Sequence, residues 1–572
     1  MRNLTIVIFL NIIFAFTACA QRNQQNYQGE WVGFLPNKKS FNFQISLKPL
    51  ENNQYHLTIA NDEILIDQNV KSSSKERILF DIQNQLFFNL MYDKPKNALT
   101  GFIRSGKLMY HVTLKQGKAK KFTGPWDAFM VDKGLKSDDI MLYLENNEDG
   151  SLGAYPFFGD QRFRGAWTGN FKRNGDTLRF RDGMTGFNFR ALLLDDKIEL
   201  SILLTDVLLT KTSLTHTKDG WEYHADPFDR SQNTNKPVLL NDGWPTAASK
   251  DAGIKENQLI QLIEDANTGK LVNVHSVLIA RKDTLVFENY FNGFNANIPH
   301  DLRSASKSIS SALIGIAIED GHIKSVEESL YDFIPEEYQY TKNELKSKIT
   351  IKDLLTMSSG FDVNNLASEN YYQDPNRDKS WLQTVLEAPV VKEPGTYADY
   401  GSANPFLLGI CLDQRLETPL ELYMHEKLFA PLGITHYINQ TDDKEITPYF
   451  GGGMLLTPRD LLKFGQLYLN NGKWSGKQII PKQWVAASFK KHVQLQDVKD
   501  KNEYGYLWWH DTYQINRKTV KSIEARGAGG QFIFILPELE SVVVITSGNF
   551  RNRKGNQPRE ILKKYILPAM MD

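Results

Sequence analysis

The sequence predicts a multidomain protein in which an all-β domain precedes an α/β domain. Three observations predict it. A chain of 572 residues is too long for one core and divides into roughly two to four domains. From residue 28 to about 217, apolar and polar residues alternate with a period of two between clusters of turn formers. From residue 251 onward, strand-like and helix-like segments follow one another instead.

The chain opens with MRNLTIVIFLNIIFAFTACAQ, which has one basic residue, an apolar run from Leu4 to Phe16 and small residues before Cys19. This pattern predicts a signal peptide over residues 1–19, too short for a comfortable membrane span. Phe16-Thr17-Ala18-Cys19 resembles a bacterial lipobox with phenylalanine in the usual leucine position. Lipidation at Cys19 is expected, giving an exported, lipid-anchored protein of the periplasm or outer membrane; the alternative is ordinary cleavage nearby and a soluble exported product. Residues 20–27 form a polar tether. The only other cysteine, Cys411 in FLLGICL, reads as a core residue, so with Cys19 lipidated no internal disulfide is available. Lys+Arg and Asp+Glu number 67 each, so no overall charge draws the chain to nucleic acid.

In the β-rich span 28–217 the alternation is clearest in Phe41-Phe43-Ile45-Leu47, Leu108-Tyr110-Val112-Leu114, Ile140-Leu142-Leu144 and Ile198-Leu200-Ile202-Leu204. Side chains of a strand point alternately to its two faces, so each run offers one apolar face to a core. ENNQ, NNEDG and RNGD separate the runs as hairpin turns do. A sandwich or barrel is expected. GEWVG at 29–33 and GAWTG at 165–169 share a G-x-W-x-G pattern that suggests a duplicated unit. His56, His111, His216 and His224 are scattered without metal-ligand spacing and read as surface or structural residues. The domain reads as a spacer or a wall of the active site.

Residues 218–250 lose periodicity and gain Pro, Asn and Asp, which predicts a linker before a domain at 251–572. A helix is expected at about 255–267, then strands VHSVLIA and TLVFENYF. Helices are expected from Thr350, with Asp353 three residues on, and from Thr457-Pro458-Arg459-Asp460. Strands YGYLWW, GQFIFILP and SVVVITSGN and a helix from about Pro558 to Tyr565 close the chain.

The chemistry concentrates in DLRSASKSISSALIGIAIEDG, residues 301–321. Ile309, Leu313, Ile316 and Ala317 recur at helical spacing, and Gly321 stands where a helix stops. Residues three apart share a helix face, so the Ser304 hydroxyl and Lys307 amine can meet. A serine hydroxyl is a weak nucleophile until a base takes its proton, and a lysine held neutral can do so. The helix start leaves backbone N–H groups that suit a developing oxyanion. The same S-x-x-K spacing occurs at Ser72–Lys75 and Ser488–Lys491, but neither has a buried helix behind the serine.

Around this stretch, DGWPTA, HDLRSASKSISSALIGIAIEDG, ITIKDLLTMSSGFD, EPGTYADYGSANPFLLGI, LFAPLGI, GGGMLLTPRDLLKFGQLYLNNGKW, YGYLWW and ARGAGGQFIFILPELESVVVIT follow in order. Together they resemble the serine β-lactamase-related hydrolases, nearest the branch that holds esterases and 6-aminohexanoate-dimer hydrolases. The resemblance covers more than half of the chain. It implies a β-lactamase/transpeptidase-like domain, an antiparallel sheet with helices on both sides plus a helical subdomain. It also implies an acyl-enzyme on Ser304 with no cofactor.

The family's Tyr-x-Asn motif has poor matches at Tyr290, Tyr437 and Tyr468, and a better one by context in Tyr400-Gly401-Ser402. By resemblance Tyr400 shares the Ser304 proton with Lys307, and Ser402 replaces the asparagine with a shorter reach. The third motif is altered to Ala525-Arg526-Gly527, followed by Ala528. The resemblance makes the Ala528 N–H the second oxyanion donor and brings the Gly527 backbone close to a ligand. The missing Lys or His argues against a carboxylate-bearing β-lactam as substrate. Arg526 reads either as an anion clamp or as an exposed strand residue. Gly451-Gly452-Gly453 either lines the pocket or makes a tight turn, and Trp508 and Trp509 read as core or pocket wall. The leading function is hydrolysis of a small ester or amide. The alternatives are a D-amino-acid peptidase on cell-wall-type peptides and a non-catalytic penicillin-binding-like sensor. The absence of a G-x-S-x-G elbow disfavours an α/β-hydrolase.

Overall fold

A computed structural model describes residues 27–35, 41–128, 139–146, 152–158, 168–217, 236–362, 378–441, 447–496, 502–550 and 552–571. The signal peptide, Cys19, His224 and the first part of the linker lie outside them.

The N-terminal region is all β. One antiparallel sheet runs Leu152–Phe158, Asp139–Asn146, Gly29–Phe34, Val207–Thr217, Lys197–Leu204, Asn188–Leu193, Thr177–Asp182, Thr168–Asn174. A second contains Ile64–Lys71, Gln54–Ala60, Asn42–Pro49, Phe122–Asp127 and Leu108–Gln116, with Ala98–Ser105, Leu86–Asp93 and Ile78–Ile82 continuing from the last. The alternating residues do what their period demands: Phe43, Ile45 and Leu47 from one sheet and Ile198, Leu200, Ile202 and Leu204 from the other meet in a single core. Trp31 of GEWVG is buried there, donating from Nε1 to the Tyr27 carbonyl at 2.8 Å. The start of GAWTG lies outside the described residues.

The C-terminal region is built on an eight-stranded antiparallel sheet. Its order is Thr284–Tyr290, Val274–Arg281, Ser541–Ser547, Gln531–Leu536, Lys518–Gly527, Trp509–Ile515, Glu503–Tyr504, Val493–Gln494. Every residue of Gln531–Leu536 and Ser541–Ser547 is buried, so both faces must be covered. The helix Glu256–Asn267 and the consecutive C-terminal helical segments Gln557–Ile561, Leu562–Ile566 and Leu567–Met570 cover one face. Helices Lys307–Glu319 and Pro458–Leu469 cover the other and join it to a helical region that includes Ile351–Leu355, Trp381–Glu387 and Ala403–Asp413. The helix starts are capped by the residues that predict them. Thr350 and Asp353 form a reciprocal capping box, and Thr457 accepts the Asp460 N–H ahead of Pro458.

Residues 236–250 lie along this domain rather than free of it. Trp244 is buried, edge-on to Trp474 at 5.1 Å. Arg459 reaches them through Asp242 at 2.9 Å and the Val238 carbonyl at 2.7 Å.

The two regions share a sheet. Leu108, Met109 and Tyr110 pair antiparallel with Gln440, Asn439 and Ile438. Strand Ile438–Gln440 pairs in turn with Met454–Leu456, and that strand with His300–Asp301. The second N-terminal sheet therefore extends to within three residues of Ser304.

Candidate active site

The approach to Ser304 is made by its own local sequence. After strand His300–Asp301 the chain turns sharply, and Arg303 takes a left-handed φ of +49°, a conformation that costs a side-chain-bearing residue about 1–3 kcal/mol. Asp301 holds it there. Its carboxylate accepts the Arg303 backbone N–H at 3.0 Å and pairs with the guanidinium Nε at 2.8 Å. A 3₁₀ turn, Arg303–Ser306, then carries half-buried Ser304 into helix Lys307–Glu319. That helix is apolar nearly all round because it is buried on nearly every side, and it stops at Gly321 with φ +81°.

Lys307, 1% exposed, points its amine back along the helix. Nζ lies 2.8 Å from Ser304 Oγ and 3.0 Å from Ser402 Oγ, and it donates to the carbonyl of Gly451. A neutral amine has two N–H bonds and one lone pair. A carbonyl can only accept, so one N–H is committed to Gly451. With the second on Ser402, the lone pair is left for the Ser304 proton. The arrangement orients the amine as a base.

The other sequence candidates fall around this pair. Ser402 is fully buried at the start of helix Ala403–Asp413. The Tyr400 ring is half-buried, its centroid 5.3 Å from Lys307 Nζ, and packs on Trp509 at 5.1 Å and edge-on to Tyr504 at 6.3 Å. Gly527 ends strand Lys518–Gly527 directly against the Ser304 turn. A Cβ there would come within 2.2 Å of the Leu302 carbonyl oxygen and 3.1 Å of the Ala305 nitrogen, so only glycine lets strand and turn approach so closely. Ala528 follows on the exposed side. Trp508 is fully buried among Phe464, Tyr468 and Phe489, whereas Trp509 stands beside Tyr400.

Arg526 does not present a free charge. Its guanidinium pairs with Glu524 at 2.7 Å and Asp511 at 2.6 Å and lies over the Trp509 ring at 4.8 Å. Asp511 also binds Arg559, so two cations and two carboxylates balance.

The remaining matches are separated from this site. Tyr290 donates to Glu288 at 2.5 Å, and Tyr468 packs against Trp508. Tyr437 stacks on His111 where the N- and C-terminal regions meet. Ser72 bonds carbonyls of its own turn, and Ser488 bonds the Trp484 carbonyl at the end of its helix. Among the described residues no three His, Cys, Asp or Glu side chains gather as metal ligands.

Asp301 escaped the sequence reading, and Gly451 entered it only within a glycine run read as pocket lining or a tight turn. The Gly451 carbonyl is a backbone atom, and no residue type announces it; only the run of three glycines was a signal. Asp301 had one, a carboxylate two residues before an arginine at a turn.

Comparisons with known proteins identify the family. The chain is 24% identical over 290 residues to 6-aminohexanoate-dimer hydrolase of Paenarthrobacter ureafaciens, covering 47% of this chain and 70% of that protein. It is 35% identical over 97 residues to monacolin J acid methylbutanoyltransferase of Aspergillus terreus, covering 16% of this chain and 23% of that protein. Among solved structures, a penicillin-binding protein homologue from Caulobacter crescentus matches 56% of this chain and 99% of its own, at 12% identity and a TM-score of 0.44. The family model described as Beta-lactamase matches residues 259–567, more than half of the chain, a span that includes Ser304, Lys307, Tyr400 and Ala528, and the protein belongs to that family of serine hydrolases.

Proposed function

We propose that the protein cleaves a small ester or amide through an acyl-enzyme on Ser304. The observation that carries this reading is the Lys307 amine, 2.8 Å from Ser304 Oγ with its N–H groups directed at Ser402 and Gly451. Ser304 Oγ attacks the carbonyl carbon as its proton passes to Lys307 Nζ. The carbonyl electron pair moves to oxygen, and the N–H groups of Ser304 and Ala528 receive the oxyanion. Collapse of the tetrahedral species breaks the bond to the leaving alcohol or amine, which takes the proton by way of Tyr400. Water then gives its proton to the same base, attacks the acyl carbon and releases the acid, and Ser304 regains its proton.

The charge around the pocket favours an uncharged acyl group. Arg526 already faces two carboxylates, so a substrate carboxylate would gain little there and meet like charge. In the same proposal the chain is exported and tethered through a lipid on Cys19.

The test is incubation of the protein with a fluorophosphonate probe, peptide mapping of the adduct, and turnover of p-nitrophenyl butyrate. Labelling at Ser304 is expected, with turnover lost in Ser304→Ala. Full activity in that variant refutes the reading.

A further inference from the structure

None of the described residues of the N-terminal β region touches Ser304 or Lys307, yet the region is built into the scaffold that holds them. Its strand Leu108–Gln116 and the strand Ile438–Gln440 exchange backbone bonds beyond the paired residues. The His111 N–H donates to the Tyr437 carbonyl at 3.2 Å, and the Thr441 N–H to the Lys107 carbonyl at 2.7 Å. Side chains cross in both directions. Ile438 and Leu455 are buried in the β-region core, while Phe102 and Met109 are buried in the core beneath the Ser304 helix.

The far edge of Ile438–Gln440 carries the catalytic groups. The Gln440 N–H donates to the Gly453 carbonyl, and the Gln440 carbonyl accepts the Tyr449 N–H at 2.7 Å, closing the turn Tyr449–Gly453. From that turn Gly451 offers its carbonyl to Lys307, and Gly452 lies against the backbone of Arg303 and Ser304. The next strand, Met454–Leu456, pairs with His300–Asp301 and accepts the Leu302 N–H at 3.0 Å. The lysine's acceptor and the serine's lead-in strand thus hang on one three-residue strand, whose other edge is N-terminal.

His111 grips the start of that strand. Its ring stacks on Tyr437 at 5.2 Å and on His425 at 4.0 Å. Its Nδ1–H donates to the Thr435 carbonyl at 2.8 Å, while its amide holds Tyr437. We infer that the N-terminal β region is a working part of the active site and that His111 is a positioning residue, fixing strand Ile438–Gln440 so that the Gly451 carbonyl aims the Lys307 amine at Ser304. The inference rests on the Ser304–Lys307 reading above. A displacement on the order of 1 Å at a reacting pair lowers rate by about a hundredfold, so a grip of this kind acts on turnover rather than on substrate affinity.

The test uses the full chain with p-nitrophenyl butyrate and the rate of fluorophosphonate labelling at Ser304, at a temperature where each variant is folded by circular dichroism. His111→Ala is expected to lower kcat and the labelling rate at least tenfold with KM within twofold of wild type. His111→Phe, which keeps the stack, should restore kcat to within about threefold of wild type. If His111→Ala does not fold, His111→Leu carries the test, because it fills the space without the Nδ1 donor or the aromatic stack. A folded Ala or Leu variant with wild-type kcat and labelling overturns the inference, since His111 would then serve stability alone. Absence of Ser304 labelling in the wild type overturns the catalytic reading and the inference with it. Inert Ser304→Ala beside fully active His111→Ala overturns the inference only.

Discussion

Replacing His111 by phenylalanine should flatten the acid limb of the protein's stability. The ring is buried, its proton sits on Nδ1 facing the Thr435 carbonyl, and its bare Nε2 has no hydrogen-bond partner among the described residues. Burial first, and the neighbouring His425 second, press its pKa from 6.5 down to about 3. In the folded protein the ring therefore stays neutral at pH values where the unfolded chain has already taken up a proton. Its contribution is complete above pH 6.5 and is lost as the pH falls from there toward 3, at about 1.4 kcal/mol per pH unit. Between pH 7 and pH 5 that amounts to about 2 kcal/mol. Burial also lowers His425, to about 4, with the same sign. Glu421, bound by Asn89 across the same interface at 3.2 Å, runs the other way. Burial raises it to about 7, so its contribution is present below 4.5 and lost as the pH rises to 7. His425 and Glu421 remain in the variant and cancel in the comparison. Urea unfolding followed by tryptophan fluorescence at pH 7, 6 and 5 measures both proteins. The gap between wild type and His111→Phe should change by about 2 kcal/mol from pH 7 to pH 5. Parallel pH dependences would refute the reasoning, because they would mean that the wild-type ring takes up its proton without loss of stability.

Three further outcomes are expected. Ser402→Ala leaves one N–H of a buried amine without its 3.0 Å partner, a penalty of about 1–3 kcal/mol; kcat/KM should fall about tenfold to a hundredfold, and an unchanged value would remove Ser402 from the site. Arg526→Ala strips the guanidinium from Glu524, whose side chain is fully buried. Unfolding in urea should show a loss of roughly 3 kcal/mol, with ester turnover retained, whereas abolished turnover in a folded variant would make Arg526 a substrate contact. Cys19→Ser should abolish metabolic labelling with palmitate in a bacterial host and release the protein from the membrane fraction; labelling that survives the change would refute lipidation at Cys19.

What the sequence revealed divides along the line between local and non-local physics. Ser304 and Lys307 meet because residues three apart on one helical turn are neighbours, and the two strand-like halves of the β region show their faces through alternation. Caps at Thr350 and Thr457 were equally legible, since each is made within four residues. Strand Ile438–Gln440 was not. At three residues it is too short to show a period, and it is a strand because Leu108–Tyr110 templates one edge and Met454–Leu455 the other, both distant in sequence. His111 read as one scattered histidine because its partners, Thr435, Tyr437 and His425, lie more than 300 positions away. Residues 236–250 looked like a linker by composition, and their docking through Trp244 and Asp242 depends on Arg459, again a distant residue. Arg526 left two readings open because Asp511 joins it from the neighbouring strand, in a register that sequence does not display, even though Glu524 stands two residues back on its own strand.

The manner in which Lys307 is held explains why so much of the site is backbone. Ordering a lysine side chain costs about 2 kcal/mol of rotamer entropy, and a partner that could itself rotate would add its own cost. The Gly451 carbonyl cannot swing away independently, because the turn that bears it is packed on both sides. A Cβ at Gly451 would meet the Tyr449 ring at 2.3 Å, and one at Gly453 would meet the Gln440 Cβ at 2.6 Å. A side chain at either glycine would therefore force the turn to shift and push the carbonyl off Lys307. Gln440 in turn is held by the N-terminal strand on its other edge. Of the two acceptors that aim the amine, the Gly451 carbonyl is therefore set by the folding of the sheet, and the Ser402 hydroxyl is the one side chain. That requires the strand-donating β region and the serine-bearing domain to fold as one body.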